Sequence, residues 1–314
     1  MKEFTNQVLQ AAKIAITGHL HPDGDCIGSC LALRRYILDN YPEKQVDVYL
    51  EPISSEFLFL NGSDKIFSDT TDKIYDLFFV LDCSTEDRFA PFAEMIQHAK
   101  TVFCIDHHIS NQGLGDFCKV DAKASATCEV LCQIFDFDKI SIECANCLYT
   151  GIVHDTGVFK HSNTTKATMT YAGSLLEKGV NSAKIIDETF YQKTYVQNLV
   201  LGQAMLNSCL MADDQIIFST LSKEELEHFG AIPADTNGIV DQLRSTKGVE
   251  TAVFVYPLKD GGYKVSMRSN NRVNVSLIAQ EFQGGGHIRA AGCTLYDTLD
   301  KIQEKIIPRI QEQL

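Results

Sequence analysis

Between residues 13 and 106 the chain alternates short apolar runs with longer stretches of mixed polarity. The runs are KIAIT (13–17), VDVYL (46–50), DLFFVLD (76–82) and TVFCID (101–106). The last two are almost continuously apolar, the pattern of parallel strands buried on both faces. Residues 27–39 carry helical spacing. Strands alternating with helices predict an α/β fold, a doubly wound and mainly parallel sheet. From about residue 125 the period becomes helical, over 125–136, 141–153, 164–178, 182–190 and 193–207. A second α/β pattern follows, with strands expected at 216–220, 249–256, 263–269 and 293–296. A helix is expected at 275–282, and an amphipathic one from Leu299. These patterns predict a larger domain over 1–192, a helical linker over 193–210, and a smaller α/β C-terminal domain over 211–314.

Composition narrows the class of function. The 314 residues are 45% hydrophobic and 22% charged, which are globular values and exclude wholesale disorder. The net charge of −13 disfavours a protein that coats long nucleic acid or an anionic membrane. Residues 1–210 carry 17 basic and 27 acidic groups, against 11 and 14 in the remainder, so the excess acid lies in the first domain. No apolar run approaches the ~20 residues of a membrane span. Glu3, Asn6, Gln7 and Gln10 interrupt any signal-peptide core, and a cytoplasmic location is expected.

Eleven cysteines, an odd number with no framework spacing, point to reduced thiols. Cys128, Cys132, Cys144 and Cys147 follow C-x3-C-x11-C-x2-C, which loosely resembles a zinc site. Cys128 and Cys132 fall on the apolar side of a predicted helix and no glycine turn follows either pair. Core thiols are therefore expected, with a zinc-organised interaction module as the rival.

The chemistry concentrates where strands end. Ligands of open α/β sheets bind beyond the carboxyl ends of the strands. KIAIT is followed by G-H-L-H-P-D-G-D, which contains His19, His21, Asp23 and Asp25. DLFFVL is followed by Asp82, and TVFCI by Asp106, His107 and His108. The helix at 141–153 is followed by His154, Asp155 and Thr156. One such residue is ordinarily a turn or a cap. Four coincident segments crowd carboxylates that only cations can neutralise, and His with Asp suits Mn²⁺, Fe²⁺, Zn²⁺ or Mg²⁺. The donors exceed the needs of one ion. Two ions sharing a carboxylate favour in-line displacement at phosphorus.

H-x-x-P-D-x-D, the strand-ending Asp, D-H-H and H-D-T-G resemble the four signatures of the DHH phosphoesterase superfamily over roughly residues 10–190. Arg268-Ser269, Gly284-Gly285-Gly286-His287 and Ala290-Ala291-Gly292 resemble its associated C-terminal domain. Within that superfamily the length and domain content resemble the bacterial nanoRNase group of oligoribonucleases and 3′-phosphoadenosine-5′-phosphate (pAp) phosphatases. The resemblance implies a two-metal hydrolase of short RNA and pAp. It assigns one ion to His19, Asp23 and Asp82, and the second to Asp25, His107, Asp155 and again Asp82. Mn²⁺ is the expected ion, with Mg²⁺, Co²⁺ or Fe²⁺ as alternatives. Asp106 is implied to orient an imidazole, and His108 to face the phosphate. Arg268, Ser269, Asn271, the Gly284–Gly286 loop and His287 are implied to bind substrate, in an active site in the interdomain cleft.

The glycines also admit a plain reading as a turn with an incidental His. Against it, residues 260–292 carry Lys264, Arg268, Arg272 and Arg289 against Asp260 and Glu281, a local basic excess suited to a small anion. The chain has no Trp and a single local basic cluster, so short substrates are expected rather than long duplexes. The alternatives are a phosphodiesterase for linear or cyclic dinucleotides (pGpG, pApA, c-di-AMP) and a non-catalytic nucleotide sensor. The sequence is silent on oligomeric state, a homodimer included.

Overall fold

The computed structural model describes residues 2–314. The chain divides into two compact units, Met1–Gln192 and Lys193–Leu314.

The first unit is built on a six-stranded sheet of β1 (Lys13–Thr17), β2 (Gln45–Tyr49), β3 (Ile66–Phe67), β4 (Leu77–Leu81), β5 (Val102–Asp106) and β6 (Phe117–Val120). The order is β3-β2-β1-β4-β5-β6, and every neighbouring pair is parallel. All five residues of β4 are buried, because the sheet is covered on both faces. Leu77, Phe79 and Leu81 join the core under helices Gly24–Asn40 and Ile142–Asp155, while Phe78 and Val80 face Phe89, Phe92 and Met95. The strand order reverses between β1 and β4, which makes their carboxyl ends the natural place for a ligand.

The second unit has the order β11-β12-β10-β9-β8-β7, with β7 at Cys209–Met211, β8 at Ile216–Thr220, β9 at Thr251–Pro257, β10 at Tyr263–Ser269, β11 at Gly285–His287 and β12 at Ala290–Leu295. Only β8 and β9 pair in parallel; the other neighbours are antiparallel. Val265 and Met267 pack with Ile278 of the helix Val275–Glu281 and with Ile302, Ile306 and Ile310 of the C-terminal helix Leu299–Gln311.

The differences from the sequence expectation have local causes. The first long helix begins at Gly24, three residues earlier than its apolar spacing, because the Asp23 carboxylate accepts from the amides of Asp25 and Cys26 and caps it. The helix expected at 182–190 stops at Ile186 and continues as a π turn, Asp187–Tyr191. Residues 193–210, expected as a helical linker, do contain a helix, Tyr195–Leu206. It lies within the second unit, where Val200 and Ala204 are buried with Ile217, Leu221 and Leu243. The three-residue edge strands β7 and β11 and the four-residue β6 are too short to show an apolar period.

Cys128, Cys132, Cys144 and Cys147 are all buried among the apolar side chains of the first unit. Among the described residues, no cluster of donors suited to a metal includes any of them. They are core thiols.

Candidate active site

His19 and Asp23 follow β1, Asp82 follows β4, and Asp106, His107 and His108 close β5. Asp25 sits in the first turn of helix Gly24–Asn40, and Asp155 ends helix Ile142–Asp155. Asp82 has φ of +55°, a left-handed backbone that costs a non-glycine residue energy and is kept where the surroundings enforce it. Its amide donates to Ile105 O at 3.1 Å, tying the turn to the neighbouring strand.

Both oxygens of Asp82 are used. Oδ2 lies 3.4 Å from His19 Nε2 and Oδ1 lies 3.5 Å from His107 Nε2. The Thr127 hydroxyl donates to Oδ1 at 3.0 Å. His107 Nε2 is also 3.1 Å from Asp155 Oδ2. Three overlapping groups of donor atoms result: His19, Cys26 and Asp82; Asp82, His107 and His108; and Asp25, His107 and Asp155. Asp23 Oδ1 is 3.6 Å from His19 Nε2, and the same oxygen caps the helix.

Two glycines let the helices approach closely enough to bring Asp25 and Asp155 together. A Cβ at Gly151 would stand 2.3 Å from Cys128 Sγ and 2.5 Å from an Asp25 oxygen. One at Gly24 would stand 2.2 Å from His154 Cγ. Beyond Asp155 the chain makes a left-handed turn, with positive φ at Gly157, Val158 and Phe159 in succession.

The donor set fits divalent cations. His19 Nδ1 faces Leu20 O at 2.8 Å and His107 Nδ1 faces Ala124 O at 3.3 Å. With those nitrogens donating to carbonyls, each Nε2 directs its lone pair at carboxylate oxygens. That arrangement is repulsive unless a proton or a metal lies between. Burial lowers the His19 pKa, but hydrogen bonds to Asp23 and Asp82 outweigh it and raise the value to about 12. For His107, burial is likewise outweighed by Asp155, Asp25 and Asp82, and the value rises to about 10. Burial, then the charges of Asp82 and Asp155, push Asp25 well above the carboxylate range. Strong stabilisation of positive charge beside mutually repelling, buried carboxylates is the electrostatic signature of a cation site.

The neighbouring groups divide the work. Asp25 is completely buried, and its oxygens accept from Thr127 N at 2.6 Å and Cys128 N at 3.0 Å at the start of the helix Thr127–Ile134. Asp106, expected to orient an imidazole, holds that of His108: Oδ1 accepts from His108 Nδ1 at 2.7 Å and from the amides of His107 and His108. His107 instead rests on Ala124 O. The bond to Asp106, opposed by burial, raises the His108 pKa. His108 is 42% exposed, against 7% for His19 and 3% for Asp82, so it is the imidazole a substrate can reach. His154 is packed against Phe57 and Phe190, and burial, partly offset by Asp23, lowers its pKa to about 4.

Several supporting residues carried no signal in the sequence. Thr127 touches both Asp25 and Asp82, and Asn111 donates to Asp106 Oδ2 at 2.7 Å and to Cys83 O at 2.9 Å. Asn163 donates to Asp155 O and Ser125 O. Cys26 places its sulfur beside His19 and Asp82. Its position one residue after Asp25 was the available clue.

In the second unit the expected substrate residues are largely engaged by their own fold. Arg268 Nε donates to Asp241 Oδ1 at 3.1 Å. The Ser269 hydroxyl is buried and donates to Val273 O, so it is not presented to a ligand. Asn271 is exposed, and its amide donates to Glu250. The Gly284–Gly286 segment is not a free loop, because Gly285 and Gly286 belong to β11, paired with Gly292 and Ala291. A Cβ at Gly284 would lie 2.3 Å from Gly292 O, and one at Gly286 would lie 2.4 Å from Ala290 O. Sheet packing alone therefore requires these two glycines. Gly285 has open space at its Cβ, and His287 is exposed.

Two family models match the chain: the DHH family, N-terminal domain, over residues 13–152, and the DHHA1 domain over residues 213–312. The "bifunctional oligoribonuclease and PAP phosphatase NrnA" of Bacillus subtilis is 27% identical over 92% of this chain and 92% of its own. A Streptococcus mutans protein described as a "probable bifunctional oligoribonuclease and PAP phosphatase NrnA" is 31% identical over 90% of this chain and 89% of its own. A crystal structure of an exopolyphosphatase-related protein from Bacteroides fragilis superposes with a TM-score of 0.87 at 25% identity, covering 99% of this chain and 95% of that one. With its strand-end signatures, both family domains and near full-length relatives in agreement, the chain belongs to the DHH phosphoesterase superfamily, in its nanoRNase group.

Proposed function

We propose that the protein is a metal-dependent hydrolase that degrades short oligoribonucleotides to 5′ mononucleotides and converts pAp to AMP and phosphate. The observation that carries this reading is Asp82, whose two oxygens face two separate imidazoles at the switch point of the sheet. His19, Asp23 and Asp82 would hold one ion, and Asp25, His107, Asp155 and Asp82 the other, with Mn²⁺ expected. Such ions supply an acidified water and neutralise charge on the phosphoryl oxygens. The near full-length relatives named as oligoribonucleases and pAp phosphatases support the substrate class.

The chain's own groups position and charge-match the substrate. Asp106 fixes His108 through Nδ1, which leaves Nε2 to donate to a phosphoryl oxygen, and the raised His108 pKa favours the cationic form. In the second unit His287 is exposed, and Arg268 would exchange its partner Asp241 for a phosphate. A chain with net charge −13 and no Trp has little to hold a long polyanion, so only a few phosphates are neutralised at a time.

The test is a hydrolysis screen with Mn²⁺ over pAp, di- to pentanucleotides, a 24-mer, linear and cyclic dinucleotide messengers and pyrophosphate. Turnover of pAp and the short oligomers, with the 24-mer at least about tenfold slower, is the expected result. Preference for a cyclic dinucleotide or for pyrophosphate would overturn it.

A further inference from the structure

We propose that Cys104 and Cys118 form a reversible disulfide site that acts on the setting of His108. The inference goes beyond the hydrolase reading, and its first readout does not depend on activity.

Of the eleven cysteines, all free, only Cys118 and Cys209 are exposed. Cys118 lies on the edge strand β6 and is the register partner of Cys104 in the parallel ladder with β5. Residues directly opposite in a sheet project to the same face. Here the opposite face carries the stacked pair Phe103 and Phe117, with centroids 5.8 Å apart, so the two thiols share the other. Neighbouring strands run about 4.8 Å apart, inside the Cα window of roughly 4.4–6.8 Å that a disulfide needs. After burial, Cys118 is the largest influence raising the Cys104 pKa, as close contact between the thiols requires. Cys209 has no such neighbour, because its register partner is Phe218.

The pair is wired to the site. Asn111 Nδ2 donates to Cys83 O at 2.9 Å and to Asp106 Oδ2 at 2.7 Å, and it lies 3.3 Å from Cys104 Sγ. Asp106 in turn holds His108. Drawing Cys104 Sγ into a covalent bond at the sheet edge lengthens its contact with Asn111 and releases the amide that steadies Asp106. Cys104 and Asn111 thus act as positioning residues.

The co-reactant is a low-molecular-weight disulfide. The exposed Cys118 thiolate attacks it, forming a mixed disulfide and expelling one small thiolate. Cys104 then attacks the Cys118 sulfur and expels the second. Two protein S–H bonds are lost, one S–S bond forms, and both protons and both electrons leave with two small thiols. A disulfide whose Cys118 sulfur lies on an exposed edge strand is open to attack by small thiols, which makes it reducible in the same way.

The experiment incubates the full chain with oxidised glutathione, using wild type and Cys118→Ser, each with Cys209→Ser to prevent cross-linking between chains. Peptide mapping is expected to join the Cys104 and Cys118 peptides in the Cys118-containing protein only, with release by dithiothreitol. Metal content should stay constant while the His108 imidazole NMR signals shift and turnover falls by about tenfold. Both should recover on reduction. Cys118→Ser should keep normal turnover under both conditions. A stable glutathione adduct on Cys118 with no joined peptide would overturn the site. A joined peptide with unmoved His108 signals and unchanged turnover would overturn the link to the active site.

Discussion

The strand-end cluster of the first unit and the glycine-rich segment of the second are both made of small polar motifs, yet the fold treats them oppositely. In the first, the carboxylates of Asp25, Asp82 and Asp155 are crowded together, Asp25 and Asp82 fully inside the fold, in an arrangement that their own negative charges oppose. Amides and a hydroxyl of Thr127 and Cys128 hold Asp25 and Asp82 in place, but they do not remove the repulsion between the carboxylates. In the second, the motif residues answer structural needs: Gly284 and Gly286 make room for β12, Ser269 bonds Val273, and Arg268 pairs with Asp241. Frustrated burial therefore identifies chemistry more securely than a motif whose residues are already satisfied.

The severest test of that contrast is Asp82→Asn. It removes charge facing both His19 and His107, and a loss of about 10³-fold or more in turnover is expected, with reduced Mn²⁺ binding by calorimetry. Near-normal turnover would relocate the site. In the second unit, Arg268→Ala and His287→Ala should leave metal content intact while slowing pAp and dinucleotide hydrolysis by roughly 30- to 1000-fold. Hydrolysis of bis(p-nitrophenyl) phosphate, which has no nucleotide to position, should suffer less. Depleted metal in either variant would erase the division between the regions.

Gly151→Ala and Gly285→Ala probe packing directly. The first forces a methyl against Cys128 and Asp25, so about 1–3 kcal/mol of stability and part of the metal affinity should be lost, read by urea denaturation. Gly285→Ala meets open space and should unfold like wild type. A fall in its turnover alone would assign that position to substrate.

The smallest effect expected is electrostatic. Glu250 is buried and would have its pKa raised by that burial, but the amides of Arg272, Asn271 and Val273 bond its carboxylate and hold the pKa below its ordinary 4.5. A carboxylate with a depressed pKa stabilises the fold fully above its unfolded value and loses that contribution as pH falls through the folded one. Glu250→Gln should therefore melt lower than wild type at pH 7. The gap should close below about pH 4.5, followed by circular dichroism. A gap that is constant with pH would show that the amides respond to shape and not to charge.

By itself the sequence determined the long elements, the doubly wound class and the four segments that carry the candidate metal donors. Each depended on a local pattern: an apolar run such as DLFFVLD needs no partner to be recognised as a buried strand, and an Asp after it stands at the strand's carboxyl end. Tertiary structure decided everything that depends on which groups meet across the chain. It gave Asp106 to His108, placed Thr127 between Asp25 and Asp82, set Cys26 beside His19, and made the Gly284–Gly286 segment part of a sheet edge. It also set Cys118 beside Cys104, fourteen residues away on the next strand. Such pairings follow from register, helix approach and burial, which are properties of the packed chain, and short edge strands of three or four residues leave no period from which they could be read.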